Sequence, residues 1–66
     1  MNIEINGEIM SIAENASLSE ALDQAGINTT GVAIAVNENV VRKTDYGSHS
    51  LNDGDKVLII KVFYGG

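Results

Sequence analysis

Apolar residues fall at every second position over 2–6 (NIEIN), which predicts a strand with Ile3 and Ile5 on one face. Asn6-Gly7 follows, a pair favoured by tight hairpin turns because both central residues need positive φ. Residues 8–12 (EIMSI) then read as the returning strand, with Met10 and Ile12 inward. At 17–26 (SLSEALDQAG) the period changes: Leu18, Ala21, Leu22 and Ala25 stand at i, i+3, i+4 and i+7, one apolar helical stripe. Ser17 and Glu20 are spaced as a capping box, and Gly26 suits a left-handed C-terminal cap with Ile27 folding back. So short a helix needs a sheet to hold it.

The second half reads as strands and turns. Residues 32–36 (VAIAV) predict a strand, Asn37-Glu38-Asn39 a turn, and Val40-Val41 a short return. The stretch 42–50 (RKTDYGSHS) reads as an irregular surface connection, and 51–55 (LNDGD) as turn chemistry. The run 56–64 (KVLIIKVFY) is the longest apolar strand, apolar on both faces and therefore expected at the sheet centre. Leu58, Ile60 and Val62 are expected inward, with Val57, Ile59, Lys61 and Phe63 outward. The expected core is Ile3, Ile5, Met10, Leu18, Leu22, Ile34, Val36, Leu58, Ile60 and Val62. The order β-β-α-β-β-β, with one helix across one face of a mixed sheet of four to five strands, is the α+β arrangement called β-grasp, or ubiquitin-like.

Length and charge narrow the functions open to such a fold. Sixty-six residues are expected to form one domain, 1–66, ending in a flexible tail, 64–66. A chain of this size buries about 60% of its unfolded surface, so a deep catalytic pocket would compete with the core for apolar side chains. With no cysteine, disulfides and thiolate metal sites are excluded. A net charge of −5 is the wrong sign for gripping a phosphate backbone. No apolar run reaches the roughly 20 residues of a membrane span, and MNIEINGEIM does not resemble a signal peptide, so a cytoplasmic location is expected.

Candidate catalytic groups are few. His49 lies between Ser48 and Ser50, but neighbours in sequence do not make a nucleophile–base pair without a positioned third group and an oxyanion site. Asp53-Gly54-Asp55 lacks the run of oxygen ligands that a calcium loop requires, so it reads as a turn into the last strand. No active site, metal or bound cofactor is expected. The outward side of the last strand (Val57, Ile59, Phe63, with Lys61 among them) is either a minor second core or a docking surface.

The remaining feature is the ending, KVFYGG. With 7 glycines in 66 residues, chance places glycine at both final positions in about one chain in a hundred. A C-terminal carboxylate, with a pKa of about 3.5, is ionised at neutral pH. Positioned by another enzyme, it can attack the α-phosphate of ATP to give an acyl-phosphate anhydride. Glycine lacks a Cβ and can thread a narrow passage, and an extended Tyr64-Gly65-Gly66 spans about 10 Å. On this reading the protein is a substrate rather than a catalyst.

GVAIAVNENVV, then LNDGDKVLIIKVFYGG, together with the apolar helix near residue 20, resemble the ThiS family of thiamine-pathway sulfur carriers over nearly the whole chain. Arg42 stands where that family commonly has proline, and Tyr64 is bulkier than the residue that often precedes its glycines. The resemblance implies adenylation of Gly66 by a ThiF-like enzyme that uses ATP, with Gly65 as its unhindered neighbour. A persulfide sulfur would then displace AMP to leave a thiocarboxylate for a ThiG-like thiazole synthase. Val57, Ile59, Lys61, Phe63 and Tyr64 would face the partners. Three other readings share parts of this pattern: a MoaD-like molybdopterin carrier, a ubiquitin-like protein modifier whose Gly66 forms an amide, and a plain binding module. Absence of proline and short length favour the thiamine branch.

Overall fold

A computed structural model describes residues 1–61 of the chain. Strands β1 (Asn2–Ile5) and β2 (Glu8–Ser11) form an antiparallel hairpin with Ile3 opposite Met10 and Ile5 opposite Glu8. Asn6 and Gly7 turn it at φ 48° and 85°, the left-handed pair that matches the twist of the flanking strands. Helix α1 (Leu18–Gln24) follows. The Ser17 hydroxyl accepts from the Glu20 N–H at 3.1 Å, as the capping spacing predicts. The Glu20 carboxylate reaches the Ser17 hydroxyl at 3.4 Å rather than a backbone amide. At the other end Gly26, at φ 70°, lets the Ile27 N–H reach back to the Leu22 carbonyl at 3.0 Å, while the Gly26 N–H bonds Asp23 O. These are the two bonds of a Schellman cap.

Strands β3 (Val32–Val36) and β4 (Asn39–Val41) form a second hairpin, turned by Asn37 and Glu38 at φ 49° and 72°. Asn39, expected in the turn, begins the return strand. Strand β5 (Lys56–Lys61) lies between the hairpins, parallel to β1 and antiparallel to β3, giving the sheet order β2-β1-β5-β3-β4. This is the β-grasp arrangement expected from the element order, with β5 at the centre. Residues 62–66 lie outside the described part. The expected continuation of the strand to 64, the inward Val62, the outward Phe63 and the flexible tail all fall there.

The core between sheet and helix is built from Ile3, Ile5, Leu18, Leu22, Ile34 and Val36, as expected, joined by Ile12, Ala16, Ala21 and Val41. Met10 packs against its margin rather than inside it. The faces of β5 are the reverse of the expectation. Val57 is 2% exposed and Ile59 packs on the core, whereas Leu58 and Ile60 are 52% and 41% exposed on the opposite face. Register is the cause: Val57 lies beside Ile5 and opposite Val36, and Ile59 opposite Ile34. Directly paired residues project to the same side of a sheet, so Val57 and Ile59 must follow these core residues. Lys61 shares that parity yet is exposed, because it sits at the end of the strand opposite half-buried Val32.

The connection from 42 to 55 contributes more to the interior than a polar surface loop would. It contains a short 3-10 turn (Lys43–Asp45), after which Tyr46 is buried, and Leu51 is buried further along. Asp55 is buried as well. Its carboxylate accepts from the Asn52 N–H at 2.8 Å and from Asn37 Nδ2 at 2.9 Å. Asn37 in turn brackets the start of β5, accepting from the Lys56 N–H through Oδ1 and donating its own N–H to Lys56 O. The Asp53 carboxylate accepts from the Asn2 N–H at 2.8 Å. The DGD turn is therefore a latch joining β1, β5 and the β3–β4 turn.

Two stability measurements test this assignment. Val57→Ala should cost about 1–3 kcal/mol in urea unfolding, by the usual range for truncating a buried aliphatic side chain, and Leu58→Ala should cost clearly less. Equal losses would contradict the register. Asp55→Ala leaves the Asn52 N–H and the Asn37 amide without their acceptor and should cost about 1–3 kcal/mol by the same assay.

Candidate functional site

With α1 on one side, the other side of the sheet carries no helix. The strand registers put Val40, Ala35 and Leu58 in one row across that side, and Ala33 and Ile60 in the next. Val40 is 71% exposed, and Ile9 on the far edge is 76% exposed. Ala35 is buried beneath its larger neighbours. An apolar surface of this kind on a small protein marks an interaction site more often than chance. The apolar surplus expected on the outward side of the last strand is there, but Leu58 and Ile60 form it rather than Val57 and Ile59. Among the residues expected to face a partner, Val57 is in the core, Ile59 is half-buried on the helix side, and Lys61 is exposed. Phe63, Tyr64, Gly65 and Gly66 lie outside the described residues.

Neither polar cluster singled out in the sequence assembles chemistry. The His49 backbone is occupied structurally: its N–H donates to Asp45 O and its carbonyl accepts from the Leu18 N–H. Asp53 and Asp55 spend their oxygens on the latch. Among the described residues no group of three or more His, Asp or Glu side chains is placed to hold a metal ion. No helix among them is long and apolar enough to cross a membrane. Every buried side-chain nitrogen and oxygen described has a hydrogen-bond partner, so no polar atom is left aimed into a cavity.

What the architecture does build is a firmly held central strand that is described as far as Lys61. Strand β5 is held on both sides at its start, by β1 through Glu4 and Ile5 and by β3 along its length. The Ile59 N–H donates to Asn6 Oδ1 at 2.8 Å, one more tie to the first hairpin. Lys61 is the last residue of the strand, and the five residues of VFYGG follow it. The outer apolar rows and the root of the C-terminal segment thus sit on one strand.

The model of the ThiS family matches residues 3–66. The chain belongs to the ThiS family. The match runs through both terminal glycines and takes in the latch, the central strand and the helix. The sulfur carrier protein ThiS of Escherichia coli (strain K12) is 32% identical over 66 residues, covering 100% of both chains. A thiazole synthase of Paramagnetospirillum magneticum is 32% identical over the same 66 residues, which make up only 20% of that protein. The crystal structure of the thiamine biosynthesis protein ThiS from Geobacter metallireducens superposes with a TM-score of 0.86 at 25% identity, with both chains covered completely. The Geobacter protein therefore shares the fold described above. In this member the apolar rows on the open side are Val40, Ala35, Leu58, Ala33 and Ile60.

Proposed function

We propose that this chain is a sulfur carrier of thiamine biosynthesis whose working group is the carboxylate of Gly66. The observation that carries this reading is a ThiS-family match that continues through Gly65 and Gly66. A sheet without a catalytic constellation among its described residues agrees with a protein that other enzymes act upon. The cytoplasm, where ATP-dependent activation takes place, is the compartment this chemistry requires.

The chemistry proceeds in three steps. A Gly66 carboxylate oxygen attacks the α-phosphorus of ATP, and pyrophosphate leaves. The terminal sulfur of a persulfide then attacks the acyl carbon, and AMP leaves. A second thiol finally breaks the S–S bond, which releases the thiocarboxylate and takes up the other sulfur as a disulfide. The adenylating partner is ThiF-like and supplies the ATP site, so the carrier itself binds no cofactor. The acceptor is a ThiG-like thiazole synthase. A thiazole synthase that contains a segment similar to this whole chain supports that pairing, because a fused segment keeps donor and acceptor at high effective concentration.

The carrier's own contribution is reach and docking. Gly65 and Gly66 present no Cβ to a narrow channel. Ordering each residue of the C-terminal segment costs about 1–2 kcal/mol, which the exposed rows around Leu58 and Ile60 offset by burial against the partner. Burying such side chains contributes about 25 cal/mol per Å² of apolar surface removed from water.

Intact mass spectrometry of the protein from thiamine-starved cells should reveal a species heavier by the difference between sulfur and oxygen. Deleting Gly66 should remove that species and abolish ATP–pyrophosphate exchange while circular dichroism stays that of the parent. Exchange by the truncated chain would overturn the assignment, and stable amide adducts without any thiocarboxylate would point to a protein modifier instead. Ile60→Asp should leave the melting temperature within a few degrees while weakening binding to the adenylating enzyme about tenfold or more, a loss of about 1.4 kcal/mol. Ile59→Asp should do the opposite and lower stability first, because its side chain packs on the core.

A further inference from the structure

Strand β1 ends at Ile5, whereas its neighbour β5 continues to Lys61. The backbone groups of β5 alternate in direction. Those of Lys56 bond Asn37, on the β3 side. The carbonyl of Val57 accepts from the Asn6 N–H, and the Ile59 N–H donates to Asn6 Oδ1, both on the β1 side. By the same alternation the Ile59 carbonyl and the Lys61 N–H also face the β1 side. The first hairpin has already turned away at Asn6-Gly7, and among the described residues no strand lies beside these two groups. The Asn6 side chain acts as the last rung of β1, and past it the edge is open.

Two hollows flank the Asn6–Ile59 junction where this edge begins. One opens on the helix side and is lined by Ile5, Met10, Ala25, Ile27 and Ile59. The other opens on the outer side beside Glu4, Asn6 and Leu58. A strand laid along the edge would pass the helix-side hollow at Ile59, where it can receive an apolar side chain, the arrangement by which added strands gain affinity from main-chain bonds and specificity from pockets.

We propose that residues 59–61 form a strand-addition edge, and that its occupant is an extended segment of the adenylating enzyme itself. The inference rests on the carrier reading above. Gly66 lies only five residues past Lys61 in the chain, so an enzyme that holds it comes within reach of this edge. A second copy is the poorer occupant: antiparallel pairing about Lys61 would set two lysines across from each other and bring together two chains of net charge −5. The incoming segment carries an apolar side chain at every second position for the helix-side hollow. Basic residues at its ends would answer Glu4 and Glu8, which border the two hollows.

The test uses the full-length carrier and the ThiF-type enzyme of the same organism. By amide hydrogen exchange, the Lys61 N–H should slow at least tenfold when the enzyme is bound, whereas the Ile59 N–H, already bonded, should change far less. Lys61→Pro removes a donor that makes no bond to β3, so the sheet should survive it. In ATP–pyrophosphate exchange this variant should show a KM about three- to tenfold above that of Lys61→Ala, which keeps the amide, with kcat maintained, the loss expected for one hydrogen bond. Normal adenylation with no slowing at Lys61 would overturn the proposal and leave the carrier reading intact. Slowing that grows with carrier concentration in the absence of enzyme would assign the edge to a second copy. If the native chain is not adenylated at all, the carrier reading fails and the inference falls with it.

Discussion

Both hairpins of this protein are local, each closed by a two-residue left-handed turn, and only β5 joins them. An isolated hairpin is marginally stable in water, and a helix of seven residues is weaker still. The cooperative unit therefore depends on one six-residue strand that must find two partners distant in sequence. The DGD latch sits where that strand begins. By bonding Asn2, Asn52 and Asn37, its two carboxylates anchor the first residues of β5 to both hairpins. A buried carboxylate is tolerable there because each described bond replaces one it would have made with water.

That same strand decides which apolar side chains stay outside, so stability and surface are coupled through its register. The single helix can cover only one side of five strands. Side chains of one parity, Val57 and Ile59, are consumed by the core, while Leu58 and Ile60 are left on the open side. In a monomer with no other role, apolar rows of this kind would cost solubility. The acidic balance of the chain compensates by keeping it charged and self-repelling.

Most of the fold was legible in the sequence because its signals are local. Asn6-Gly7, the Ser17–Glu20 spacing and Gly26 each require one backbone geometry, and each adopts it. Central placement of β5 followed from its being apolar on both faces. Which face turns inward was not legible. Both parities are apolar, each carries one lysine (Lys56 and Lys61), and only pairing with Ile5, Ile34 and Val36 decides between them. Neither lysine is a guide, since a charged residue at a strand end is solvated whichever way it points. Tyr46, Leu51 and Asp55 were hidden for a related reason: each is a lone residue in a polar stretch, and burial there is set by the crossing under α1 rather than by any period. The outer rows were visible as an apolar surplus, with their membership displaced by one residue.

A displacement of one residue matters for what the surface can recognise. Had Val57 and Ile59 faced outward, the docking rows would have continued along the strand to Lys61 and placed its charge inside the interface. With Leu58 and Ile60 outward, the apolar rows run with Ala33, Ala35 and Val40, and Lys61 stands on the other side of the sheet at its end. Lys56 lies on the open side with Leu58, across from Glu4, so the apolar rows are bordered by a lysine and a glutamate at one end, while Lys61 stands exposed on the opposite side. Burial of Leu58 and Ile60 against another surface would leave the Lys61 ammonium solvated on the other side. Separating Leu58 and Ile60 from Lys61 on opposite sides lets one short strand offer apolar area on one side and a charge on the other, and the pairing with β1 and β3 decides which is which.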